Sequence, residues 1–120
     1  MNDKPINASK IKLLEALLNE YRKEINLIHA INVSWKQLND EAKGVCVEDF
    51  DQAIVARETL LEELADLRDA GFVPDQYEFS LFTIDQHLLE QNKKVKQMYG
   101  LDVNSFLVVK KPKGLLKAKK

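Results

Sequence analysis

The sequence predicts an all-α protein, an elongated antiparallel three-helix bundle made of a long helical hairpin and a C-terminal helix. Three observations lead there. Apolar residues recur at alternating steps of three and four along most of the chain. Turn formers are scarce, with 4 Gly and 3 Pro in 120 residues, too few for a many-stranded β protein. Hydrophobic residues make up 45% and charged residues 31%, too apolar for a disordered chain and suited to amphipathic helices with a solvated exterior. The length fits one domain. Residues 1–109 read as that domain and 110–120 as a Lys-rich, flexible tail.

The first helix is expected to begin near Asn7 to Ser9 and to run towards Glu41. Ile11, Leu14, Leu18, Tyr21, Ile25 and Ile28 form a heptad-like stripe, and Trp35 falls seven residues further on. Leu17, Leu27, Ile31 and Leu38 widen that stripe beyond a two-stranded seam, as a bundle helix requires. Asn32 sits on the main stripe, where it sets register or marks a bend. Lys43-Gly44 reads as the stop signal, a cation followed by a residue free to adopt positive φ.

The second helix is expected over residues 47–70, with Phe50, Ala53, Ile54, Leu60, Leu61, Leu64 and Leu67 on one face. Glu48, Asp49 and Asp51 suit its first turn, where negative charge meets the positive end of the helix dipole. Gly71 ends it. Arg57 lies on the apolar side, its stem covering apolar surface and its guanidinium reaching an acid or an interhelical carbonyl. The third helix starts between Pro74 and Glu78, with Leu81, Ile84, Leu88, Val95 and Met98 on its stripe and Phe82 and Leu89 beside it. It either ends after Tyr99 or crosses Gly100 and continues to Val108. Phe106 to Val109 reads equally well as a short extended piece.

The charge distribution is uneven. Net charge is −1, but Lys110, Lys111, Lys113, Lys117, Lys119 and Lys120 place six positive charges in the last eleven residues, leaving −7 for the rest. From Asp40 to Glu90 fourteen acids face Lys43, Arg57 and Arg68, a balance of −11. Such a body repels phosphates, so nucleic acid is an unfavoured partner. The single cysteine, Cys46, points to a reducing compartment. The first residues lack a signal-peptide pattern and no long apolar run suggests a membrane span, so the expected location is cytoplasmic.

Chemistry-bearing constellations are sparse. His29 and His87 lie on different helices with no ligand-spaced cysteine or acid, so no metal site is expected. His29 sits among Leu27, Ile28, Ala30 and Ile31, which read as core neighbours. Cys46 lies near Glu48 and Asp49, which disfavour a thiolate. The four glycines stand far apart and form no phosphate loop. No catalytic residue, metal or cofactor is therefore predicted. The stretch from Gln91 to Leu107 carries more apolar residues than one docked face needs. It mixes Val95, Met98, Tyr99, Leu101, Val103 and Phe106 with Lys93, Lys94 and Lys96, adaptable contacts for a partner helix. The same residues serve equally well to cap the bundle or to form a homodimer seam, as in a self-associating structural coiled coil.

The long first helix with Leu13-Leu14-Glu15-Ala16-Leu17-Leu18 is followed by Glu48-Asp49-Phe50 leading into Ile54, Arg57, Leu60, Leu61 and Leu64. Together with Leu89 to Gln97, this resembles the flagellar export chaperones of the FlgN/FliT type over residues 11–106. The resemblance implies a small, non-enzymatic cytoplasmic chaperone. It would bind the helical terminal segment of a hook-associated or filament-cap export substrate, prevent premature assembly and deliver it to the export machinery. The resemblance places the partner-binding contacts on Val95, Met98, Tyr99, Leu101 and Phe106, with Leu88 and Leu89 at the groove edge.

Overall fold

The computed structural model describes residues 5–112, and every regular element in them is helical. Four α-helices are present: α1 (Ala8–Ser34), α2 (Asp40–Asp69), α3 (Asp75–Glu90) and α4 (Asn92–Tyr99), with 3-10 turns at Trp35–Gln37 and Val103–Ser105. The body is elongated, 55 × 34 × 20 Å. The expected third helix is thus two helices, and α1 is shorter than expected. Residues 113–120, which hold most of the predicted tail, lie outside the described residues.

Asn7 starts α1, its side-chain oxygen accepting from the Lys10 N–H at 2.9 Å, which satisfies one of the donors a helix start leaves open. At the other end the Ser34 hydroxyl donates to the carbonyls of Ala30 and Ile31. The chain tightens into the 3-10 turn, and Leu38 is extended. Asn39 then caps α2 by accepting from the Ala42 N–H at 2.8 Å, with Asp40 and Glu41 in the first turn to complement the dipole.

The helix break therefore falls before Lys43-Gly44, not at it. Gly44 is exposed inside α2 and does not adopt positive φ. A mid-helix glycine costs roughly 1 kcal/mol relative to alanine, a penalty that a well-capped 30-residue helix absorbs.

Gly71, with φ of 92°, does end its helix as the sequence predicts. The Phe72 N–H reaches back to the Leu67 carbonyl at 2.9 Å and the Gly71 N–H to Arg68 at 3.0 Å, which satisfies carbonyls that the helix end leaves open. Pro74 then precedes α3. Between α3 and α4 the helix breaks at Gln91. Its buried side-chain amide donates to the Ile25 carbonyl of α1 at 2.9 Å. Gly100, at φ 68°, ends α4, so the chain does not cross it as helix. Phe106 to Val109 is neither helix nor strand.

Cross-helix bonds give the directions. Lys10 pairs with Glu63 at 2.5 Å, so α1 and α2 are antiparallel. Tyr21 with Asp85, Ile25 with Gln91 and Asn32 with Gln97 run α1 parallel to α3 and α4. The core lies along α1, where Leu14, Leu18, Tyr21, Ile25 and Ile28 are buried, against Phe50, Ala53, Leu60 and Leu64 of α2 and Leu81, Ile84 and Leu88 of α3. Val95, Val103 and Leu107 close it below α4.

Candidate functional site

The α1 stripe packs on both α2 and α3, and these two helices leave a groove between them. Arg57 and Asp85 mark one end of the groove and Arg68 and Glu78 the other. From Arg57 to Arg68 is eleven residues of α2, about 16 Å at 1.5 Å per residue. The cavity measures about 360 Å³ and is lined by Leu61, Leu64 and Ala65 of α2 and Leu81 and Phe82 of α3. Val108, Lys110, Lys111 and Pro112 cross its edge as a strap. Val108 is 70% exposed on that lip, while Lys110 and Lys111 are exposed and Pro112 is buried.

The closed end of the groove is held by a buried polar network. Arg57 donates from Nε and Nη2 to the two carboxylate oxygens of Asp85, both at 2.8 Å. The Tyr21 hydroxyl donates to Asp85 Oδ1 at 2.6 Å. Arg57 Nη2 also donates to the Val108 carbonyl at 3.1 Å, which fastens the strap. Burial and the Asp85 charge both push the Tyr21 phenol well above its ordinary range. The Arg57 guanidinium, despite the cost of burial, is held charged by its hydrogen bonds to Asp85 and by that carboxylate's charge. The sequence reading of Arg57 as reaching an acid or an interhelical carbonyl holds for the acid, Asp85; the carbonyl it reaches, that of Val108, belongs to the strap and not to a helix. At the open end Arg68 bonds Glu78 at 2.6 Å and also bonds Asp75.

The seven residues expected to bind a partner are placed differently from that expectation. Leu88 and Val95 are fully buried and Met98 is 7% exposed, so the centre of the expected surface is interior packing. Tyr99 is half-buried, its ring edge-on to Trp35 at 5.6 Å and tilted against Phe50 at 4.9 Å. It joins the ends of α1 and α4 to α2. Lys43 Nζ stands 5.4 Å from the Trp35 ring, an arrangement that favours the cation. Leu89 packs against the core, and only Leu101 and Phe106 are open, each 37% exposed. The apolar excess of this stretch is consumed because the break at Gln91 turns α4 back onto α1.

His29 is exposed, and so are its neighbours Leu27 and Ala30; of the four residues read as core, only Ile28 is buried. Among the described residues no group of three or more His, Cys, Asp or Glu side chains is placed to hold a metal ion, and no helix is long and apolar enough to cross a membrane. Burial raises the Cys46 thiol above its ordinary value, with Glu24 and Asp49 adding to the shift; this disfavours the thiolate.

The groove residues escaped the sequence reading for a physical reason. Leu61 and Phe82 look like the widened edges of core stripes, and periodicity does not say that two helix edges diverge. The one signal was Lys110 and Lys111, where a positive run begins beside an acidic body. No protein-family model, curated protein or solved structure matches this chain.

Proposed function

We propose that this chain is a non-catalytic protein-binding module, an export chaperone or helical adaptor that holds the helical terminal segment of a flagellar hook-associated or filament-cap subunit. In this reading α3 and α4 act as one bent rod, giving a three-rod antiparallel bundle. The observation that carries it is the α2–α3 groove: an apolar floor about three turns long between two antiparallel helices, the shape that receives an amphipathic helix. The 360 Å³ cavity has room for apolar anchors, whose desolvation supplies most of the affinity in such complexes.

The test is a pull-down from host lysate with the tagged chain and with Ala65→Trp, which blocks the groove from an exposed position. Recovery of a hook-associated or filament-cap subunit by the parent and not by the variant is the expected result. Recovery of the chain alone assigns it to self-associating structural proteins.

A further inference from the structure

Resting on the protein-binding reading, we propose that the groove selects an acidic amphipathic helix, with a row of apolar side chains flanked by Glu or Asp. Residues 40–90 carry −11, so the surface around the groove is mostly repulsive to anions. At the cavity itself Asp69 and Glu78 are part of the lining, Glu78 paired with Arg68, and the strap adds two cations. The Arg57 bond to the Val108 carbonyl anchors the strap, and the next residues bring Lys110 and Lys111 to the edge of the cavity. Both lysines are exposed, and neither is paired with an acid among the described residues.

Below them lie Leu61, Leu64, Leu81 and Phe82. Two unpaired cations above an apolar floor define the complement: apolar residues inward, carboxylates towards the strap. Complementary charge of this kind sets partner choice more than total affinity. The acidic body attracts a basic helix at long range, so the preference rests on Lys110 and Lys111, which repel a basic helix of the same apolar pattern at the rim itself.

The probes are two synthetic 18-residue helical peptides with identical Leu rows, one flanked by Glu and one by Lys, titrated into the full chain by calorimetry. The Glu peptide should bind at least about fivefold more tightly, as two rim ion pairs allow, with the preference shrinking as salt rises. Lys110→Glu with Lys111→Glu should reverse the preference, and Ala65→Trp should abolish binding of both peptides while leaving the thermal midpoint near that of the parent. Equal binding of the two peptides overturns the charge selection and leaves the groove reading standing. Binding that survives Ala65→Trp places the peptide elsewhere and overturns the proposal. No binding of either peptide overturns both.

Discussion

Arg57 and Asp85 meet across α2 and α3 through two parallel 2.8 Å hydrogen bonds, 4% and 2% exposed. A fork-to-carboxylate pair of this kind is geometrically specific. Its desolvation offsets much of its attraction, but breaking it leaves a buried charge alone. Asp85→Leu should therefore destabilise the chain by about 3–5 kcal/mol in urea titration. Adding Arg57→Met and Tyr21→Phe should recover most of that loss, because all three polar partners are then removed together. If the triple variant is no more stable than Asp85→Leu, the pair contributes net stability beyond its desolvation.

Two glycines should respond oppositely to the same change. Gly44 lies within α2 with open space where a Cβ would stand, so Gly44→Ala should stabilise by about 0.5–1 kcal/mol. Gly100 also has open space, but at φ 68°; Gly100→Ala should destabilise by about 1–2 kcal/mol because the left-handed backbone crowds a Cβ. Thermal midpoints of the two variants check this directly.

Met98→Asp and Leu64→Asp should fail alike. Their side chains are 7% and 3% exposed, and a buried unpaired carboxylate costs several kcal/mol, on the order of 3–5. Circular dichroism should show both variants largely unfolded at 37 °C. A folded Met98→Asp protein would show that α4 leaves the bundle readily.

Glu24 gives the stability a pH dependence. It is 5% exposed, and burial, with Asp49 adding to it, raises its carboxyl above the ordinary 4.5. Between 4.5 and that raised value the folded chain holds a proton that the unfolded chain has released. Stability from this group therefore falls as pH rises through that window, and stays lower above it. Glu24→Gln should be more stable than the parent at pH 7, and the gap in urea midpoint should narrow towards pH 4. Asp102, held below its usual range by the Asn92 side chain and the Asn104 N–H, works in the opposite sense and is common to both proteins.

What the sequence disclosed follows from what periodicity measures. The stripe from Leu14 to Ile28 is a property of one helix, and all five of its residues are buried where the spacing places them. Gly71 was legible because a glycine at the end of an apolar stripe, with Pro74 three residues on, is a helix stop. Lys43-Gly44 misled because glycine tolerates helix as well as turn, and the deciding element was the Asn39 side chain four residues earlier. The break at Gln91 depends on a carbonyl 66 residues away. No local pattern announces such a partner. The groove was hidden for the same reason, since it arises from the spacing of two helices rather than from either one.

Asp85 is joined to Tyr21 across 64 residues and to Arg57 across 28. Contacts so distant along the chain form only after the intervening loops have closed, whereas each helix nucleates from neighbours. The network, which needs α1, α2 and α3 together, should therefore form late, after the transition state. Its loss should leave the refolding limb of the chevron nearly unchanged and steepen the escape from the native basin, raising the unfolding rate constant. The buried triad is in that sense a clasp on lifetime, governing how long the folded chain persists more than how quickly it is reached.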